Sequence, residues 1–495
     1  MTIHFRHPTL ALILASAACA SSPAISTVTA SAASEAESAE AGDGRAWLAG
    51  DHHIHSRFSA DYEPDAANPG AAPVPILGVD GVYPIPTNAA MARKFGLSWM
   101  VSTDHGGPNH SKLNHDQAYP ELEQSRASVP EVIQFYGMEF DTPGGDHSSL
   151  IIPHTQDERE SLRRIESGFS KREAFPSDAS RDTEPKMIEA LTYMKEIEAP
   201  PVVIANHPSR SATAVGAYGQ YDPAEFRDWN DAAPEIAVGM EGAPGHQAAA
   251  LNADGTLDPK GARGGYGRSP TMGGFDQMTA RLGGFWDSML GEGRRWWVTS
   301  TSDSHRHVSE GGSDFWPGEY SKTYVHARPK HDDILDGLRR GRVFVATGGL
   351  VSELDVAIDS AGETARIGGE LTFRAGADIR VTIRVRDPAG VNSAGRTPAV
   401  ERIDLIVGDV TGPRPDRDGD RNPTTRIAKR FTAADWTRAG EVLTMIHVLP
   451  AMAGPGYVRV RGTSTAELEP SPDPLGEDPW SDLWFYSNPV FLRPR

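Results

Sequence analysis

Histidine and carboxylate side chains are grouped in this chain at spacings that suit metal chemistry. His53 and His55 lie in DHHIHS, Asp104 and His105 in STDHGG, Glu139 in YGMEF and His147 in GGDHSSL. His207 follows in ANHPSR, and Asp303 and His305 in TSDSH. Nearly all stand where an apolar run gives way to a polar turn. In an α/β protein that is the carboxyl end of a strand, where active sites are built. Imidazole together with carboxylate is the ligand set of a multinuclear divalent-metal hydrolase site.

Each motif alone has an ordinary reading. An H-x-H pair on a strand sends both imidazoles to the same face, but two half-exposed histidines do the same. Asp303 and His305 repeat that same-face geometry on a second strand. Glu139 sits in the otherwise apolar run FYGMEF, where an unpaired carboxylate costs several kcal/mol, so something positive is expected beside it. An arginine would serve, and so would a pair of cations bridged by its two oxygens. His147 and His207 also begin or end apolar runs. Their common placement at strand ends points to a metal cluster.

Other chemistries find little support. Cys19 is the only cysteine, and it falls in the leader described next. The mature chain is therefore expected to lack disulfides, a thiol nucleophile and Cys-ligated metals. No GxSxG stands in a strand-to-helix setting. The run from Asp416 to Asn422 places acids at alternate positions like the start of a Ca²⁺ loop. Ile427 holds the place of the bidentate glutamate, so the run reads as a turn.

The elements that must position these residues can be read coarsely from the 495-residue sequence. Residues 1–32 read as a signal peptide, with weakly basic MTIHFRH, an apolar stretch from Pro8 to Ala20, and a cleavage site at Ala30-Ser31-Ala32 or nearer Ala20. Cys19 gives a faint lipoprotein reading, with Ser16 where leucine is usual. Residues 33–45 are a small, acidic, disordered leader. The expected location is periplasmic or secreted, with no membrane span. The net charge of −19 becomes one unit more negative without Arg6. That balance argues against nucleic acid as a standing partner.

Residues 46–350 alternate strand-like and helix-like segments. Strands are predicted over 46–53, 98–103, 132–140, 148–152, 201–205, 235–240, 296–301 and 323–326. Helices are predicted around 87–96, along the Met187, Ile188, Leu191 and Met194 stripe, and along Ile334, Leu335 and Leu338. Repeated β-then-α implies a mainly parallel sheet or barrel. From 351 to 495 the helical signal fades. Ile379, Val381, Ile383 and Val385 alternate with Arg380, Thr382, Arg384 and Arg386, the period of a half-buried strand, and a β-sandwich is expected. The Gly-rich stretch from Ala253 to Gly274 reads as a surface or lid loop.

The ordered motifs H-x-H-S, T-D-H, G-x-E, H, H-P and D-x-H resemble the PHP (polymerase and histidinol phosphatase) superfamily over residues 46–350. Secreted members with a C-terminal β-sandwich, the carbaryl-hydrolase-like metallohydrolases, are similar over the whole chain, including LRRGRVFVATGG. The resemblance implies a distorted (β/α)7 barrel followed by the sandwich, and two or three divalent ions of manganese, iron or zinc. It implies that His53, His55, Glu139 and Asp303 hold one metal, and that Glu139 bridges to a second held by His147 and His207. A third site would use Asp61, His105 and His305, with Asp61 where several relatives carry histidine. Asp104 is read as an anchor or a base.

The expected activity is phosphoric ester hydrolysis, diester before monoester, on a small-molecule ester with a metal-bridging hydroxide as nucleophile. Arg210 and Arg306 are candidates for clamping a phosphate, and His246 and His307 for protonating the leaving group, with His305 beside them. Hydrolysis of a carboxylic or carbamate ester by the same site is the alternative. A non-catalytic glycan-binding protein is the reading from another class.

Overall fold

The computed structural model describes residues 43–495. The signal peptide expected over residues 1–32 and most of the leader expected over 33–45 lie outside the described residues. Residues 45–495 pack as one compact unit. Among the described residues no helix is long and apolar enough to cross a membrane.

The N-terminal part is built from strands β1 (Ala46–Asp51), β2 (Trp99–Ser102), β3 (Ile133–Asp141), β4 (His147–Ile152), β5 (Val202–Ala205), β6 (Ala237–Ala243), β7 (Trp297–Ser300), β8 (Ser321–Ala327) and β9 (Val343–Thr347). Helices α1 (Ile85–Lys94), α2 (Tyr119–Ser128), α3 (Glu158–Phe169), α4 (Glu184–Glu196), α5 (Pro223–Ala232), α6 (Phe285–Gly291) and α7 (His331–Arg339) lie between them. The local reasons are ordinary ones. Thr183 caps α4 by accepting from the Lys186 N–H, and Pro185 occupies its first turn. Met187, Ala190, Leu191 and Met194 then form its buried face. Asp222 caps α5 in the same way, accepting from the Glu225 N–H.

The strands form one sheet in the order β9-β8-β1-β2-β3-β4-β5-β6-β7. It is mixed, where a mainly parallel sheet is the sequence expectation. Pairs β1–β2, β2–β3, β5–β6 and β6–β7 are parallel, but β3–β4, β4–β5, β1–β8 and β8–β9 are antiparallel. The physical reason is connection length. The short turn 142–146 joins β3 to β4, with Asp141 opposite His147, and a turn that short makes only a hairpin.

The sheet is curved. From the end of β1 the His52 ring reaches Ser149 Oγ of β4 at 2.9 Å and Thr299 Oγ1 of β7 at 2.8 Å. β7 returns beside β8, where Thr323 Oγ1 accepts from the Ser300 N–H and donates to the Ser300 carbonyl. Val101, Met138, Leu150, Ile204, Met240 and Val298 fill one buried core.

After residue 350 all the regular structure is β. A separate antiparallel sheet includes strands Glu353–Ser360, Ala377–Arg386 and Val442–Met452. The two-residue period of the sequence is met there. Ile379, Val381, Ile383 and Val385 are buried, while Arg384 and Arg386 stand across from Asp355 and Glu353. Strands Arg402–Asp409, Gly456–Thr463, Trp484–Ser487 and Val490–Pro494 instead extend the large sheet, with Phe344 to Ala346 of β9 pairing Ser487 to Phe485. Leu354 and Ile383 of one sheet share a core with Leu405 and Val458 of the other. That shared core is apolar burial worth about 1.5–3 kcal/mol per large side chain.

Candidate metal centre

β1 ends at Asp51, whose carboxylate accepts from the backbone N–H groups of His53 and Ser302. Ile54 turns into the core, and His53 and His55 turn the other way, their Nε2 atoms 3.0 Å apart. Each ring is held from behind. His53 Nδ1 donates to Glu241 Oε1 at 2.7 Å. His55 Nδ1 donates to Ser59 Oγ at 2.7 Å, and the Ser59 hydroxyl donates in turn to Asp104. With those tautomers both Nε2 atoms aim at the same point, an arrangement that could hold a cation.

Glu139, two residues before the end of β3, is the hub. Its Oε1 lies 3.0 Å from His53 Nε2, 3.1 Å from His147 Nδ1 and 3.1 Å from His207 Nε2. Its Oε2 lies 2.7 Å from His105 Nδ1 and 3.6 Å from His55 Nε2. Asp303 Oδ1 stands 3.0 Å from both His53 Nε2 and His55 Nε2, and its Oδ2 is 3.0 Å from His246 Nε2. His105 and His305 meet at 3.3 Å through their Nε2 atoms. Overlapping ligand triads run through the array: His53, His55 and Glu139; His105, Glu139 and His147; His55, His105 and His305; Asp146, His147 and His207; His246, Asp303 and His305.

The donor set fits metal ions on a direct observation. His105 Nδ1, Glu139 Oε2, His147 Nδ1 and His207 Nδ1 are all buried and all lack a hydrogen-bond partner. Buried polar atoms are rarely left so, and four in one cluster mark a place for cations. Charge agrees. Burial works against ionised Glu139, yet His147, His105 and His53 hold it well below the usual carboxylate range. Burial works against protonated His53, but Asp303, Glu139 and Glu241 together push it well above an ordinary imidazole. Burial, with His305 and His105 beside it, pushes His55 the opposite way.

The backbone is strained at the same place. His207, His246 and Asp303 adopt φ values of 30°, 53° and 47°. A non-glycine residue in the left-handed region costs about 1–3 kcal/mol and persists where the surroundings enforce it. Here the enforcement is visible. The His207 N–H donates to Glu241 Oε2 at 2.6 Å, and His246 Nδ1 bonds Asp314 Oδ1 at 2.5 Å.

The structure brings together His53, His55, His105, Glu139, His147, His207, Asp303 and His305. It does not bring Asp61 to them. Asp61 opens a short exposed hairpin opposite Ile76, and the acid beside His105 and His305 is Asp80, at 3.4 and 3.7 Å. The chain leaves His55 through a tight turn at Ser59, runs outward through Asp61, and returns to the cluster only at Asp80. Asp104 faces away from the imidazoles and binds Ser56 and Ser59, which is an anchoring position. Arg210 lies at the rim, 3.5 Å from Asp146. Arg306 is exposed and makes no ion pair among the described residues, and only its backbone is held, by Asp314. His307 bonds Glu319 and Ser309, outside the array.

Sequence reasoning missed Glu241, Asp146, Asp80 and Asp314. Glu241 carried the same signal as Glu139, a lone acid inside the apolar run AVGMEGA. No family model matches the sequence, and no curated protein matches it either.

Proposed function

We propose that this protein is an exported, metal-dependent phosphoric ester hydrolase, acting on diesters in preference to monoesters. The proposed framework is a distorted (β/α)7 barrel of PHP type with a C-terminal β-sandwich. The observation that carries the reading is the approach of His105 Nδ1 to Glu139 Oε2 at 2.7 Å with neither atom in hydrogen-bond geometry. A ring nitrogen and a carboxylate oxygen that close, in a buried site lined by further histidines, suit divalent cations. Such ions supply water ionised near neutral pH and positive charge for the developing oxyanion.

The chain's own residues prepare that chemistry. His53, His55, Glu139 and Asp303 would hold one ion, and Glu139, His147 and His207 a second. His105 and His305, with Asp80, would hold a third. Glu241 and Ser59 fix which ring nitrogen of His53 and His55 faces inward, so no reorganisation is required on binding. The Arg210 guanidinium stands where it can orient a phosphoryl oxygen.

Hydrolysis of a carboxylic or carbamate ester is the second reading, favoured by the pairing of Arg210 to Asp146, which neutralises the charge a phosphoryl group would meet. A panel of aryl phosphate diesters, aryl phosphate monoesters and aryl carbamates tests the two. Chelator-sensitive turnover of the diester, inhibited by inorganic phosphate, is expected. Turnover of the carbamate alone, indifferent to phosphate, would replace the first reading by the second.

A further inference from the structure

Of the histidines in the ligand triads, His246 alone is unused by the three ions proposed. His246 lies just beyond the end of β6, and Asp303 just beyond the end of β7. Glycine at 245 lets the two turns meet, because a Cβ there would fall 2.0 Å from Asp303 Cβ. The His246 ring then reaches Asp303, its Nε2 3.0 Å from Oδ2. The other ring nitrogen, Nδ1, faces Asp314 Oδ1 at 2.5 Å. A carboxylate on Nδ1 draws the neutral ring's proton there, which leaves the Nε2 lone pair turned toward Asp303.

Asp314 is itself buried, and its second oxygen accepts from the N–H groups of His305 and Arg306 at 2.7 and 3.0 Å. One carboxylate thus fixes both the His246 ring and the chain at His305. Asp303 has the character of Glu139, with imidazoles at both oxygens. Its Oδ1 lies 3.0 Å from His53 Nε2 and His55 Nε2, and its Oδ2 meets His246. Ligand atoms of His246, Asp303 and His305 all lie within 4.8 Å of one another. The His246 side chain is 20% exposed, so an ion can reach it from solvent.

We propose that His246 is a metal ligand, and that its Nε2 and Asp303 Oδ2 join His305 in holding a divalent cation. Asp303 then bridges two ions, one through each oxygen, as Glu139 does. Two imidazoles and a carboxylate suit manganese, iron or zinc. Asp314 behind His246 orients the ring and raises its basicity as a ligand. The inference rests on the reading of the array as a metal centre and adds to it a ligand from the turn after β6. A protonated His246 that merely tied Asp303 to Asp314 would have no part in metal binding, and that difference is measurable.

The test reads binding, not turnover. Full-length protein and its His246→Gly variant are dialysed against buffers of fixed free Mn²⁺, and bound manganese per chain is counted by elemental analysis. Glycine adopts the φ of 53° without strain, so the variant removes the ring alone. One ion should be held about tenfold or more less tightly in the variant while the others stay. Added imidazole, entering the space of the lost ring, should restore that ion. Equal manganese binding by the two proteins would overturn the inference and leave the metal centre standing. Loss of all ions alike, not restored by imidazole, would also overturn it, as the mark of a ring that only supports the fold. A wild-type protein that binds no manganese, zinc or iron would instead overturn the metal reading itself, and this inference with it.

Discussion

Glu241 Oε1 lies 2.7 Å from His53 Nδ1, both side chains fully buried, while Glu241 Oε2 receives the His207 backbone N–H at 2.6 Å. One carboxylate from β6 thereby fixes the ring of a residue after β1 and the main chain of a residue after β5. The imidazole just after β1 is thus aimed into the histidine cluster by the protein itself.

Glu241→Gln should therefore fold but bind divalent metal less tightly, by about 10–100-fold, since it removes the charged partner of a ligating histidine. Competition with a calibrated chelator measures this. Unchanged affinity would mean that His53 is oriented by something other than Glu241.

Asp80 and Asp61 make a sharper pair. Asp80→Asn should weaken occupancy of the ion nearest His105 and His305, about tenfold, with a matching loss of turnover. Asp61→Asn, on its exposed hairpin, should change neither. Metal titration of the two variants side by side decides between them, and the reverse ranking would restore Asp61 as the ligand.

The C-terminal strands are tied to the N-terminal part by a buried ion pair. Arg459 Nε and one terminal nitrogen contact Asp287 of α6 at 2.8 and 2.7 Å, and the Tyr457 hydroxyl donates to the same carboxylate at 3.0 Å. Asp287→Ala leaves a buried guanidinium unpaired and should cost about 3–5 kcal/mol in urea unfolding. Asp287→Leu combined with Arg459→Met should cost much less. A loss under about 1 kcal/mol for the single variant would show that the pair is not needed.

Stability should also respond to pH through His110. Burial lowers the affinity of this ring for a proton, but Glu166 at 2.6 Å outweighs it and pushes the pKa up to about 9. Because the folded-state value lies above the ordinary 6.5, the proton favours the fold. The contribution, at most about 3 kcal/mol, is complete below pH about 6.5 and is lost as pH rises through about 9. Glu166→Gln should flatten Tm between those pH values. A wild-type Tm that does not fall over that range would contradict the pairing.

Much of the frame was legible because hydrophobic period is a local signal. The runs around Val101, Met138, Ile204 and Val298 lie in strands within a residue or two of their predicted bounds, and the alternation from Ile379 to Val385 marks a strand with one buried face. Strand direction was not legible, since it depends on connections such as 142–146 whose shortness forces an antiparallel pair. Within the site, motif spacing located residues borne on adjacent strand ends. Spacing led to Asp61, which opens an exposed hairpin, whereas the chain returns to His105 and His305 at Asp80. Glu241 was within reach of the argument applied to Glu139. Asp314 was not, because its role rests on meeting His246 and the His305 backbone from a loop with no period of its own.

The central claim is that Glu139 gathers five histidines in order to hold cations on which turnover depends. Elemental analysis of purified protein, paired with an assay before and after exhaustive chelation, tests it most directly. The account predicts about two or more divalent ions per chain, loss of activity on their removal, recovery on their return, and loss of both metal and activity in Glu139→Ala. A metal-free protein that turns over substrate at the original rate would contradict it.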